Sequence, residues 1–241
     1  MAQQTTALPK IATRQQWLTE RKVLFEKEKE ATRTMDSVRA ARRRLPMVKI
    51  EKNYTFAGPD GEVSLTDLFD GRRQLIVHHF MYFDEPDRFC PSCSLEADQN
   101  YNRHLLLELH MRSVTLAAVC SAPADRILEE KKKKNWNFPF YSSRNSDFNY
   151  DFQATIDPDR NREYNYRDAD ETTGFNGYQG DTAGKSVFLR DGDEVYHSYS
   201  AYARGTGLLA MHYNYLDLTP YGRQEAWEDS PEGWPQKPMY E

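Results

Sequence analysis

The chain has 241 residues, 39% of them hydrophobic, with a mean hydropathy of -0.85 and a formal net charge of -5. That length holds one sizeable core with extensions, or two small domains, and the acidic balance gives no general attraction to nucleic acid. Three cysteines, two of them in one motif, make no disulfide framework and favour a reducing compartment, and no stretch is apolar enough to span a membrane.

Residues 1–12 read as a flexible N-terminus. Met1 to Gln16 lacks the apolar core of a secretory signal, although it shares the absence of acids with organelle presequences. Cytoplasm is the expected location. Thr13 followed by Gln16 predicts a capping box. Beyond it, Trp17, Leu24, Ala31, Met35, Val38 and Leu45 keep a seven-residue frame, with Arg21, Glu28 and Arg42 as its charged members. The pattern predicts one helix over 13–45, about 50 Å long at 1.5 Å per residue. So narrow a seam either wraps the chain's own domain as an extension or serves as an arm for a homodimer. Arg42, Arg43 and Arg44 read as a solvated helix end.

Val48 to Leu65 alternates as a hairpin, with a turn at Gly58-Pro59-Asp60-Gly61, and Thr66 to Phe69 is a helical turn ended by Gly71. Leu75-Ile76-Val77-His78-His79-Phe80-Met81-Tyr82 is a central strand, apolar on both faces apart from its histidines. It runs through the loop Asp84-Glu85-Pro86-Asp87 into Cys90-Pro91-Ser92-Cys93. A helical stripe of Ala97, Tyr101, Leu105 and Leu109 follows. A Cys-x-x-Cys motif at a helix start is the layout of a thioredoxin-type redox site. The first turn supplies free N–H groups and the positive end of the helix dipole, which favour a thiolate, and Pro91 suits that turn. The spacing brings one sulfur within reach of the other, so Cys90 is expected to attack and Cys93 to resolve.

Two other uses of the motif stay open. Peroxiredoxin-type sites space a proline, a threonine or serine and the peroxidatic cysteine as Pro86, Cys90 and Cys93 are spaced, and Glu96 falls where such sites often carry a glutamate. That reading reverses the roles of the two cysteines. Cys-x-x-Cys is also half of a metal site, and copper or zinc would need Cys90, Cys93 and one of His79, His197 or His212.

Val114 to Val119 predicts a second buried strand, parallel to the first, closed by Cys120 as a buried, inert thiol. Pro123 opens a helix that runs to Lys131–Lys134, and Phe138-Pro139-Phe140-Tyr141 is a short strand. Residues 145–184 show little periodicity. Their aromatic density, in Phe148, Tyr150, Phe152, Tyr164 and Tyr166, favours an ordered cover over the active site or a dimer contact. Ser186–Leu189 and Glu194–Tyr199 flank Arg190-Asp191-Gly192-Asp193 as a hairpin. Leu208 to Leu218 predicts the final helix, and residues 219–241 a surface extension.

Several of these motifs occur together in a known family. They are Leu75-Ile76-Val77 leading to His79-Phe80, Cys90-Pro91-Ser92-Cys93-Ser94 with Asp98, Ser146 to Asp151, Phe188 to Gly192, Tyr202-Ala203-Arg204-Gly205, and Leu216 to Pro220. In these the chain resembles a widespread family of thioredoxin-like proteins catalogued as a domain of unknown function. The resemblance implies an α/β fold: a thioredoxin-like central mixed sheet flanked by helices, with the long N-terminal helix and hairpin as lead-in. The thioredoxin-like domain then spans 46–218 with 145–184 as an insertion, and Cys90 and Cys93 form the redox pair. The proline that usually precedes the hairpin strand is replaced by Asp181-Thr182-Ala183-Gly184-Lys185. The expected function is a thiol–disulfide oxidoreductase or thiol-dependent peroxidase, without cofactor or metal, acting on a disulfide or peroxide and recharged by a thiol reductant. Arg190 or Arg204 is a candidate to hold a thiolate. The competing readings are the metal-binding module and a non-catalytic interaction protein.

Overall fold

A computed structural model describes residues 7–172 and 174–236. Residues 1–6 and 237–241, the outer parts of the two expected extensions, lie outside that description. The chain forms two compact units, Met1–Leu45 with Ala210–Glu241, and Pro46–Leu209. No described helix is long and apolar enough to cross a membrane.

The first unit is built on α1 (Arg14–Arg42), which starts as its sequence demands. The Thr13 hydroxyl accepts from the Gln16 N–H at 3.3 Å, and the Gln16 side chain accepts from the Thr13 N–H at 3.0 Å. No residue of α1 is buried, and Trp17, Leu24 and Val38 stand exposed along the seam. Its charged members Arg21 and Glu28 pair with each other at 2.8 Å. Residues ahead of the helix are tied to the C-terminal stretch, where the Ala7 N–H donates to the Gly233 carbonyl at 3.3 Å and the Tyr221 hydroxyl donates to the Ala7 carbonyl at 3.0 Å. The final helix is shorter than predicted and spans Met211–Leu216. Gly205 and Gly207 lower helix propensity just before it, and Ala203–Leu209 forms a tighter 3-10 turn instead.

The second unit holds a mixed sheet of eight strands: β1 (Val48–Lys49), β2 (Thr55–Gly58), β3 (Gly61–Ser64), β4 (Gln74–His79), β5 (Val114–Cys120), β6 (Phe140–Ser142), β7 (Gly184–Asp191) and β8 (Glu194–Tyr202). Their order is β1-β8-β7-β4-β5-β6-β2-β3. The β4, β5 and β6 strands are parallel, while β7 runs antiparallel to β4 and β8 to β7. The lead-in hairpin is β2–β3, but Val48 and Lys49 leave it to pair with His197 and Tyr196 at the sheet's other edge. A parallel run continued by an antiparallel hairpin, with the cysteine helix leaving the carboxyl end of the central strand, is a thioredoxin-like sheet.

Alternation along β4 creates two cores. Leu75 and Val77 join Phe148, Phe152 and Phe188 on one face, and Ile76 and Phe80 join Cys93, Ala97, Ile127 and Phe138 on the other. The predicted single stripe after the cysteines is two helices, α2 (Pro91–Asn100) and α3 (Arg103–His110). Asn102 makes the break, because its side chain accepts from the N–H groups of His104 and Leu105 and so caps a new helix. Further on, α4 (Ala124–Lys134) and α5 (Phe148–Asp151) flank the sheet. The described part of 145–184 is ordered. Phe148 and Phe152 enter the core, while Ile156, Tyr164 and Ala169 form a third cluster with Tyr202.

Candidate active site

The β4 strand delivers the chain to the sulfurs through a short return. Tyr82–Phe83 pairs with Arg88–Phe89, and the Cys90 N–H donates to the Met81 carbonyl at 3.0 Å. Cys90 is the N-cap of α2 and Pro91 its first residue, so the open helix end lies at the Cys90 sulfur. Both cysteines are free thiols; Cys90 is 8% exposed and Cys93 3%. Their chemistry differs more than their exposure. The Cys93 thiol beside the Cys90 sulfur, and then the open N–H groups of Cys93 and Ser92 at the helix start, which close no cap hydrogen bond with that sulfur, outweigh burial and lower the Cys90 pKa to about 6. As the donor in that contact, and buried besides, Cys93 is pushed well up.

A charged network lies on the same face of the sheet. The Lys185 ammonium pairs with Glu96 Oε2 at 3.1 Å. The Tyr101 hydroxyl donates to Glu96 Oε1 at 3.0 Å and lies 2.7 Å from His78 Nδ1. A single hydroxyl proton cannot serve both neighbours, so donation to Glu96 makes His78 the Nδ1–H tautomer and leaves its Nε2, which has no partner among the described residues, as a bare acceptor. Burial lowers the Lys185 pKa, with Glu96 and Cys93 opposing, and burial also holds His78 neutral, reinforced by the Lys185 charge. Lys185 in turn favours a Cys93 thiolate against the cost of burial. Strand register assembles this set, because His78 and Lys185 are direct partners across β4 and β7. Sequence spacing singled out Glu96 and put Tyr101 on the helical stripe and His78 in the strand, but gave Lys185, His78 and Tyr101 no role at the site. The one available signal was a lysine opening an otherwise β-prone, apolar run.

The opposite face carries a second, neutral network. His79 Nδ1 lies 3.2 Å from Asn149 Oδ1 and His79 Nε2 lies 2.8 Å from Ser186 Oγ. Ser186 Oγ meets Ser200 Oγ at 2.8 Å, and Ser200 Oγ meets His197 Nε2 at 2.8 Å. Burial among Phe148 and Phe152 lowers the His79 pKa to about 3. This corrects the metal-site reading with His79 or His197. Both rings sit across the sheet from Cys93. Among the described residues no group of three or more His, Cys, Asp or Glu side chains is placed to hold a metal.

Neither candidate arginine takes the place that Lys185 occupies. Arg190 donates to the Gly192 carbonyl at 2.7 Å, in the hairpin turn at the far end of the strand that Gly184 and Lys185 begin. Arg204 is exposed, beyond the end of β8. Cys120 is fully buried and burial raises its pKa, as suits a packing thiol.

The strand order, the helix start and the paired cysteines define a thioredoxin-like protein carrying a Cys-x-x-Cys motif. The chain belongs to the family described as "Bacterial protein of unknown function (DUF899)", whose model matches residues 6–240. No curated protein matches it. Among solved structures, the chain is similar to the peroxidoxin BcpB of Mycobacterium tuberculosis, at 10% identity and a TM-score of 0.46 over 69% of this chain and 93% of that one. It is also similar to a cysteine-to-serine mutant of Xanthomonas campestris peroxiredoxin Q, at 14% identity and a TM-score of 0.41 over 71% and 96%. A cysteine-to-serine mutant of Xylella fastidiosa PrxQ gives 11% and 0.42 over 68% and 89%. Likeness of this size carries no chemistry across, and the reading of the fold rests on the strand order.

Proposed function

We propose that the protein is a thiol–disulfide oxidoreductase in which Cys90 attacks and Cys93 resolves. The observation that carries this reading is the place of Cys90 at the open start of α2 with Cys93 one turn on, a setting that lowers the Cys90 pKa to about 6. At neutral pH it is a thiolate. Attack on a disulfide R–S–S–R′ forms a Cys90–S–S–R bond and expels R′–S⁻. The Cys93 thiol thereby loses its acceptor and gives its proton to the departing thiolate. The Cys93 thiolate, favoured by Lys185, then attacks the Cys90 sulfur and expels R–S⁻, which takes a proton from solvent. The substrate gains two electrons and the protein keeps a Cys90–Cys93 disulfide, to be reduced by an external dithiol. The reversed order asks a buried thiol of raised pKa to ionise ahead of its lowered neighbour.

The test is rapid mixing of reduced protein with a small disulfide, read by mass spectrometry. Cys93→Ser should accumulate the Cys90 mixed disulfide and Cys90→Ser should form none. Equal reaction of Cys90→Ser and the unaltered chain would remove the proposal.

A further inference from the structure

A cavity of about 510 Å³ opens at the carboxyl ends of β4, β5 and β6. That is the edge at which open α/β sheets receive ligands, and the volume suits a small one. Neither cysteine lines it, but residues of its wall lie next to their surroundings. Tyr178 lines it and feels the Cys90 charge, and Tyr82, also in the wall, pairs with Phe89, the neighbour of Cys90.

Two side chains in the lining each carry one buried polar atom without a partner among the described residues. Ser143 and Asn149 are each 3% exposed, and neither Ser143 Oγ nor Asn149 Nδ2 has a hydrogen-bond partner among the described residues. Asn149 is oriented by His79, which engages Oδ1 and leaves the Nδ2 donors free. Buried donors left in this way are costly unless something accepts from them. The lining is also charged in both senses. Arg144 stands 2.9 Å from Asp84, while Glu85 and Asp157 pair with no cationic side chain among the described residues.

We infer that the cavity seats the non-reacting arm of a small zwitterionic disulfide, of the cystine or cystinyl-peptide class. A carbonyl oxygen of that arm accepts from Asn149 Nδ2 and Ser143 Oγ, its ammonium faces Asp157 and Glu85, and its carboxylate faces Arg144. The choice of a disulfide rests on the exchange reading of Cys90. The demand for a carbonyl and both charges rests on the cavity alone.

The experiment uses S-methylglutathione, which has these groups but no sulfur able to exchange, titrated calorimetrically into the reduced full-length protein. One saturable site is expected, weakened about fivefold by Ser143→Ala, which breaks no hydrogen bond within the protein, and at least as much by Arg144→Gln. The thermal midpoint of each variant shows that it is folded. Alongside, thiol oxidation by glutathione disulfide is expected to be at least tenfold faster than by the uncharged hydroxyethyl disulfide. Absence of binding, or binding untouched by both variants, overturns the inference. Equal oxidation by both disulfides without binding overturns it while exchange at Cys90 stands. Binding without any oxidation keeps the cavity assignment and removes the exchange reading.

Discussion

His78 and His79 are consecutive in β4, both buried, yet they belong to different chemistries. The ring of His78 closes a line of groups, Lys185, Glu96 and Tyr101, that holds a buried ion pair on the cysteine side of the sheet. The ring of His79 starts a line of neutral groups, running through Ser186 and Ser200 to His197 on the other side. A buried charge costs several kcal/mol of desolvation and is kept where it acts on something, whereas neutral hydrogen bonds chiefly hold strands in register. On the proposed chemistry the near face tunes a thiol, while the far face fastens β4, β7 and β8 together. Changes on the near face should alter both reactivity and stability, and changes on the far face stability alone.

The largest effect falls on the sulfur itself. Cys90→Ser should slow disulfide exchange by at least about a thousandfold, since a hydroxyl lacks the thiolate's nucleophilicity, measured by stopped flow against Cys93→Ser. Next comes the near-face ion pair. Lys185→Met leaves Glu96 without its partner and should cost about 3 kcal/mol in urea denaturation, and adding Glu96→Gln should restore part of that. Equal stability of single and double variants would mean that the pair is not buried in solution.

Acid should act on both faces, since burial holds His78 and His79 alike neutral, and a variant of His79 isolates the far-face share. Burial lowers the His79 pKa from 6.5 to about 3, so between those values the unfolded chain binds a proton that the folded chain refuses. Its contribution to stability is complete above pH 6.5 and is lost as pH falls toward 3. Denaturation at about pH 7.5 and about pH 5 should show this loss, reduced in His79→Asn; an identical loss in that variant counts against a neutral buried ring. Cys90 is read by alkylation with iodoacetamide, whose rate should rise through about pH 6 and level off above it. A midpoint near 9 would sink the lowered pKa. The smallest change is on the far face, where Ser200→Ala should cost about 1 kcal/mol and leave that alkylation midpoint where it is.

How much of this was legible in sequence differs between the two faces and the site. Local rules find the β4 alternation, the helix start at Cys90-Pro91, the α1 cap and the β7–β8 hairpin, because each depends on residues within a turn or two. The break at Asn102 was open to the same rules, yet the hydrophobic stripe across it masks the cap. The near-face network is another matter. Glu96 reaches Lys185 across 89 positions of chain, and only the antiparallel register of β4 with β7 brings that lysine opposite His78. Nothing local distinguishes it from a lysine pointing to water. Aromatic density pointed to an ordered cover over 145–184, but which face of the sheet its described part covers depends on where Phe148 and Phe152 enter the core.

Gly184, the first residue of β7, has an ordinary backbone conformation, so space is its only requirement. A Cβ there would come within 2.5 Å of the Tyr202 ring, whose hydroxyl is anchored on the Phe152 carbonyl at 2.6 Å. These two positions must change as a pair: a methyl group at 184 becomes tolerable once 202 has become smaller, and not before. Among descendants of this chain, the identities at the two sites should be inherited jointly, leaving a covariation that betrays the packing to anyone comparing sequences alone.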